Sequence, residues 1–157
     1  MRTLLKLLLV LIAGTVVTHL AARVVSKRFE EGSEVSDEFR RMVILDGLDF
    51  ASRARGLRQA EVGVVLGGAR VDLRDAVIDP AGATILLENT LGGLVLNVRD
   101  DWAVTVEDML VGGGEIEVRV TSPDELPADA PRLQVDVITR LGGTVITTGD
   151  AAGERTP

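Results

Sequence analysis

The chain has 157 residues, room for one modest domain and an appendage, and its 46% hydrophobic content excludes a wholly disordered polymer. Aromatics make up only 3%, cysteine is absent and the only histidine is His19, which excludes disulfides, thiolate metal sites and most zinc, triad or histidine-base chemistry. The net charge of −7 divides into +5 over residues 1–28 and −12 over the rest, and such an acidic body excludes a nucleic-acid partner, which needs clustered cations.

The N-terminal segment is uncharged from Leu7 to Ala22 and nearly so from Thr3 to Val25, with Lys6 and Arg23 placed to snorkel from its ends. A helix over the longer span reaches about 35 Å, enough to cross a hydrocarbon core of about 30 Å. Residues 1–28 therefore read as one transmembrane helix held in the lipid bilayer, a single-pass anchor at the cell membrane. A cleaved signal peptide is the rival reading, with Leu20-Ala21-Ala22 as its marginal cleavage site. Cations flank both sides of the run equally, so the positive-inside rule assigns no orientation. His19 reads as an interfacial residue rather than a switch. Residues 29–38, acidic and free of aromatics beyond Phe29, read as an exposed linker, and residues 150–157 as a flexible tail.

Residues 39–149 repeat one pattern, an apolar stretch, a glycine turn and an alternating stretch. The five instances are LDGLDFASR (45–53), LGGARVDLR (66–74), LGGLVLNVR (91–99), VGGGEIEVR (111–119) and LGGTVITTG (141–149). Their turns start 21, 25, 20 and 30 residues apart, as in a solenoid whose loops vary while the rung is kept. The alternation of Val71 and Leu73 with Asp72 and Arg74 is a strand signature. The fold class is thus all-β, a short β-solenoid of about five rungs behind the anchor. An antiparallel sandwich shares the strand–Gly-Gly–strand pattern, but the matching flanks favour the solenoid. Structural turns are expected at Gly67-Gly68, Gly92-Gly93, Gly112-Gly113 and Gly142-Gly143. TSPDELPADAP (121–131) is expected as an exposed loop, residues 39–60 as an imperfect capping rung, and the end near Val145–Thr148 as an uncapped edge open to another copy.

Arg53, Arg74, Arg99 and Arg119 fall in one column of this register, beside Asp72, Asn97 and Glu117. The functional reading is a partner-binding face centred on Arg74, Arg99 and Arg119 that receives a carboxylate, phosphate or acidic helix. The bland reading is an arginine ladder neutralised by its acidic neighbours. Asp100-Asp101 is more often a solvated turn than a cation site, and Trp102 more often core than a ligand platform. No GxxxxGK[ST] is present. No catalytic, cofactor-binding or metal-ligating residue is assigned, and the chain reads as a non-enzyme without cofactors.

VVLGGARVDLRDA (64–76) and LENTLGGLVLNVRDDWAV (87–104) resemble the C-terminal β-domain of LiaF-like proteins, the cell wall-active antibiotics response family, also called toastrack. The likeness spans about residues 40–149. It implies a coiled β-domain on a bacterial membrane protein tied to envelope-stress signalling through a sensor kinase. LiaF-like proteins carry several membrane helices where this chain has room for one. A polymer-forming scaffold similar to bactofilins, joined by self-association, is the alternative expectation. A β-helix enzyme acting on envelope polysaccharide ranks last, because five rungs offer neither a long groove nor clustered acids.

Overall fold

A computed structural model describes residues 30–149 and, ahead of them, Thr18, Ala21, Val24, Val25, Lys27 and Arg28 in helical conformation. The span predicted over residues 3–25 lies almost wholly outside the described residues, as does the tail 150–157. Among the described residues no helix is long and apolar enough to cross a membrane.

Ten strands follow in pairs: β1 (Glu38–Ile44) and β2 (Gly47–Ala51), β3 (Gln59–Val65) and β4 (Gly68–Asp72), β5 (Ala83–Thr90) and β6 (Gly92–Asn97), β7 (Ala103–Leu110) and β8 (Glu115–Arg119), β9 (Arg132–Thr139) and β10 (Gly142–Thr147). All strand pairings in the two five-stranded sheets are parallel. This is the short β-solenoid expected from the repeats, and parallel pairing removes the hairpin sandwich. Each pair is one rung. At about 4.8 Å per step, five rungs stack to about 19 Å.

The order of the rungs differs from the order of the chain. The sheets run β1-β3-β5-β9-β7 and β2-β4-β6-β10-β8, so the last rung in sequence is inserted between the third and the fourth. Two side chains explain this. Asn89 on β5 is fully buried, and its Nδ2 lies 2.9 Å from the Gly143 carbonyl and 3.3 Å from Thr144 Oγ1, partners that only β10 supplies. Asp108 on β7 aligns with the buried Val137 and, beyond it, Leu87, a core position where a carboxylate is tolerated only at the end of the stack. The loop 121–131, exposed as expected and holding one turn of 3-10 helix at Pro123–Glu125, carries the chain back for the insertion. The expectation of an open edge at Val145–Thr148 is thereby corrected, because β10 is paired on both sides.

Alternate residues of each strand face inward: Val62, Val64, Ile85, Leu87, Val135 and Val137 in one sheet, Val71, Leu94, Leu96 and Ile146 in the other. The third side is closed by Ala54, Leu57, Leu73, Ala76, Ile78, Val98 and Trp102 from the connecting segments. Trp102, 3% exposed, is a core residue. The sharp corner between the two strands of a rung has a plain steric basis. A Cβ on Gly92 would collide with the Gly67 carbonyl of the rung below, and one on Gly67 with the carbonyl of Asp46. The residue before the corner takes a left-handed conformation even where it is leucine, at Leu45, Leu66 and Leu91 (φ 56°, 54° and 56°).

Candidate functional site

The predicted arginine face is only partly assembled. Arg53, Arg74 and Arg99 each follow by two residues the aligned positions Ala51, Asp72 and Asn97. Arg119 instead aligns with Thr147, which aligns with Asn97, so it stands two residues out of that column and beyond the inserted rung. The cause is the triple glycine. Gly114, not Gly112 or Gly113, precedes the strand in the position of Gly142, and Gly112 (φ 85°) lies in a wider turn before it. The Gly112-Gly113 corner is corrected accordingly, whereas Gly67-Gly68, Gly92-Gly93 and Gly142-Gly143 stand at the corners expected.

Arg74, Arg99 and Arg119 are each held by an acid two residues away, whereas Arg53 reaches Glu34 of the N-terminal segment at 4.0 Å. Arg74 grips Asp72 through Nε and Nη2 (2.9 and 2.6 Å), Arg99 grips Asp101 (2.8 and 2.7 Å), and Arg119 Nε lies 2.7 Å from Glu117. The hydrogen bond from Arg74 holds the Asp72 carboxyl below its ordinary pKa, and that from Arg99 does the same for Asp101. Of the pair Asp100-Asp101, one acid is thus engaged by its neighbour. A ladder balanced in this way presents little net charge to a ligand.

The two ends of the stack differ far more. At the first rung the inward positions Phe39, Arg41, Val43 and Phe50 are all buried. Phe39 and Phe50 pack with ring centroids 4.8 Å apart, and the Arg41 guanidinium stacks 4.3 Å from the Phe50 centroid. Its Nη1 donates to the carbonyls of Glu31 and Arg40 (both 2.8 Å), and Nη2 to that of Gly32 (3.2 Å). Burial lowers the pKa of this guanidinium, and the charges of Glu30 and Glu34 oppose that shift. The linker of the sequence reading is exposed in most of its side chains, as expected, but its backbone is tied to the domain. Glu31 exchanges two hydrogen bonds with Arg40 (3.0 and 2.9 Å), and the carbonyls of Glu34 and Asp37 accept from Arg53 and Arg58.

At the opposite end β7 and β8 each have a free edge. Their inward positions are uncovered, with Leu110 at 47% and Val118 at 44% exposure and Asp108 exposed beside them. The 3-10 turn packs near β7, whose N-terminal half is shielded at Val104, leaving Glu107–Leu110 open. Among the described residues neither Glu107 nor Asp108 forms an ion pair. A shallow depression flanks this edge, lined by Leu86, Glu107, Asp108, Met109, Asp136 and Ile138. Sequence reasoning passed over Arg41 and Asp108. The available signal was a charge at an inward position of an alternating strand, FRRMV for one and AVTVEDML for the other.

No family model matches the chain, and neither a curated protein nor a solved structure matches it.

Proposed function

We propose that this chain is a non-enzymatic, membrane-anchored binding module of the bacterial cell envelope, serving envelope-stress signalling, and that it binds at the open end formed by β7 and β8. The observation that carries the reading is the contrast between the ends: inward residues are buried under a cap at one and left uncovered, beside two unpaired strand edges, at the other. Exposed edges of this kind recruit a further strand, with backbone bonds giving affinity and alternate side chains giving specificity. The basic, apolar N-terminal segment supports the anchor, and the likeness of residues 64–76 and 87–104 to LiaF-like β-domains supports the envelope setting, with a membrane sensor kinase or a second copy as the partner.

The arginine face is the weaker candidate because its charges are already matched. The test is the double substitution Leu110→Glu and Val118→Glu in the full chain, followed by cross-linking in native membranes. The expected result is collapse of cross-linked complexes to monomer with the melting temperature little changed, since both sites are solvent-exposed. Complexes that survive the substitution rule out the open end as the binding site. Reversal of Arg74, Arg99 and Arg119 is expected to leave them intact.

A further inference from the structure

One interior column begins and ends in a charge. It runs Arg41–Val62–Leu87–Val137–Asp108, with the cation on the first rung and the acid on the last. The neighbouring outward column runs Arg40–Glu61–Leu86–Asp136–Glu107, again basic at one end and acidic at the other. We propose that the open end receives a second copy of this chain, head to tail, with β1 of the incoming molecule continuing the parallel sheet beyond β7. The proposal rests on association at the open end and names its partner.

Continuing the register by one step sets Arg40 of the incoming copy opposite Glu107, Arg41 opposite Asp108, Met42 opposite Met109 and Val43 opposite Leu110. In the second sheet Leu48 meets Ile116 and Phe50 meets Val118. The single like-charged match, Asp49 with Glu117, falls where Arg119 already bonds Glu117. Two acids thus face two arginines, of which Arg40 already pairs with Glu61 in its own chain, and three apolar pairs close over the unfinished core while Met42 and Met109 meet on the outer face. A tail-to-tail contact would instead bring two acidic ends together, and an inward-pointing charge on an edge strand opposes such self-pairing.

The receiving edge of β1 is occupied by Glu31 and Gly32. The incoming rung takes their place: the free edge of β7 replaces the Glu31 bridge to Arg40, and the Asp108 carboxylate replaces neutral carbonyls at Arg41, a charge-assisted bond stronger than those it succeeds. Residues 30–37 are in this reading a displaceable cap. Each docked copy still presents its own β7–β8 edge, so the contact is heterologous and extends into an open row.

The natural chain has no cysteine, which makes the geometry directly readable. Met42→Cys and Met109→Cys are placed in separate full-length chains and co-expressed in the membrane under mild oxidation. Within one chain the two positions are four rungs apart, about 19 Å, beyond disulfide reach, whereas across the proposed contact they are adjacent strand positions about 5 Å apart. The expected result is a mixed disulfide dimer, and a ladder of multimers from a chain carrying both substitutions. Adding Asp108→Arg to the Met109→Cys chain is expected to lower the mixed dimer about tenfold by setting two cations together; an undiminished yield overturns the pairing. Efficient cross-linking of Met109→Cys chains with one another overturns the head-to-tail arrangement. If no disulfide forms while Leu110→Glu with Val118→Glu still dissolves the complexes, the open end binds a different protein, and the further proposal falls while the binding reading stands.

Discussion

Asn89 is fully buried, and its carboxamide links two rungs through Nδ2 contacts to the carbonyls of Gly92 and Gly143 (3.1 and 2.9 Å) and to Thr144 Oγ1, which in turn lies 2.7 Å from Thr139 Oγ1. Asn89→Ala removes this donor group from among buried acceptors, and the expected loss is about 1–3 kcal/mol in urea unfolding of the detergent-solubilised chain. Asp72 acts at the surface by a different rule. Its pKa is depressed by Arg74, so the ionised form stabilises the native state; that contribution is complete above the ordinary carboxylate pKa of about 4 and is lost as the pH falls through the lower native value. Asp72→Asn is therefore expected to lower the urea midpoint at about pH 6 and to converge with the natural chain at about pH 2. An equal gap at both pH values would remove the Arg74 pair as its source. The alternation of Val71 and Leu73 with Asp72 and Arg74 showed that the last two share a strand face; no such pattern distinguished Asn89 from a turn residue, because the partner carbonyl lies 54 residues away.

Within the elements, the two glycines of a corner have different duties. A Cβ at Gly92 would strike the Gly67 carbonyl and come within 2.9 Å of Val64 Cγ1, whereas a Cβ at Gly93 meets nothing within 4 Å. Gly92→Ala is expected to destabilise by about 1–3 kcal/mol through forced displacement of stacked backbone, and Gly93→Ala to change stability by less than about 0.5 kcal/mol. Thermal unfolding of the two variants side by side checks the contrast. The Gly-Gly pairs were legible as corners because each precedes an alternating strand. Their register was legible only where the pair stands alone. In Gly112-Gly113-Gly114 three glycines offer two alignments, and the second is taken, with Gly114 at the corner where a Cβ would crowd Thr139 Cγ2 and the Gly142 carbonyl. That two-residue slip is why Arg119 leaves the arginine column.

For the molecule as a whole, the repeats made the rungs and their parallel stacking readable, because each unit buries its apolar face against a neighbour. Which neighbour was not readable from periodicity, since every rung has similar flanks and the 121–131 loop is long enough to return. Half of the deciding chemistry was legible, since a carboxylate at the inward position of Asp108 belongs at an end; the other half, the reach of Asn89 to Thr144 and Gly143, was not. The inserted order has a consequence for biosynthesis. As the ribosome delivers the chain, residues 103–119 emerge before the surface on which they will rest has been made, and they wait until the strands at 132–147 have slid in beneath them. Until then the nascent domain exposes Val104, Val106 and Ile116, which the finished stack covers, on strands without a sheet, the state most open to chaperones and proteases. A stop codon just after Pro131 would accordingly cost this molecule two rungs of its stack, not one.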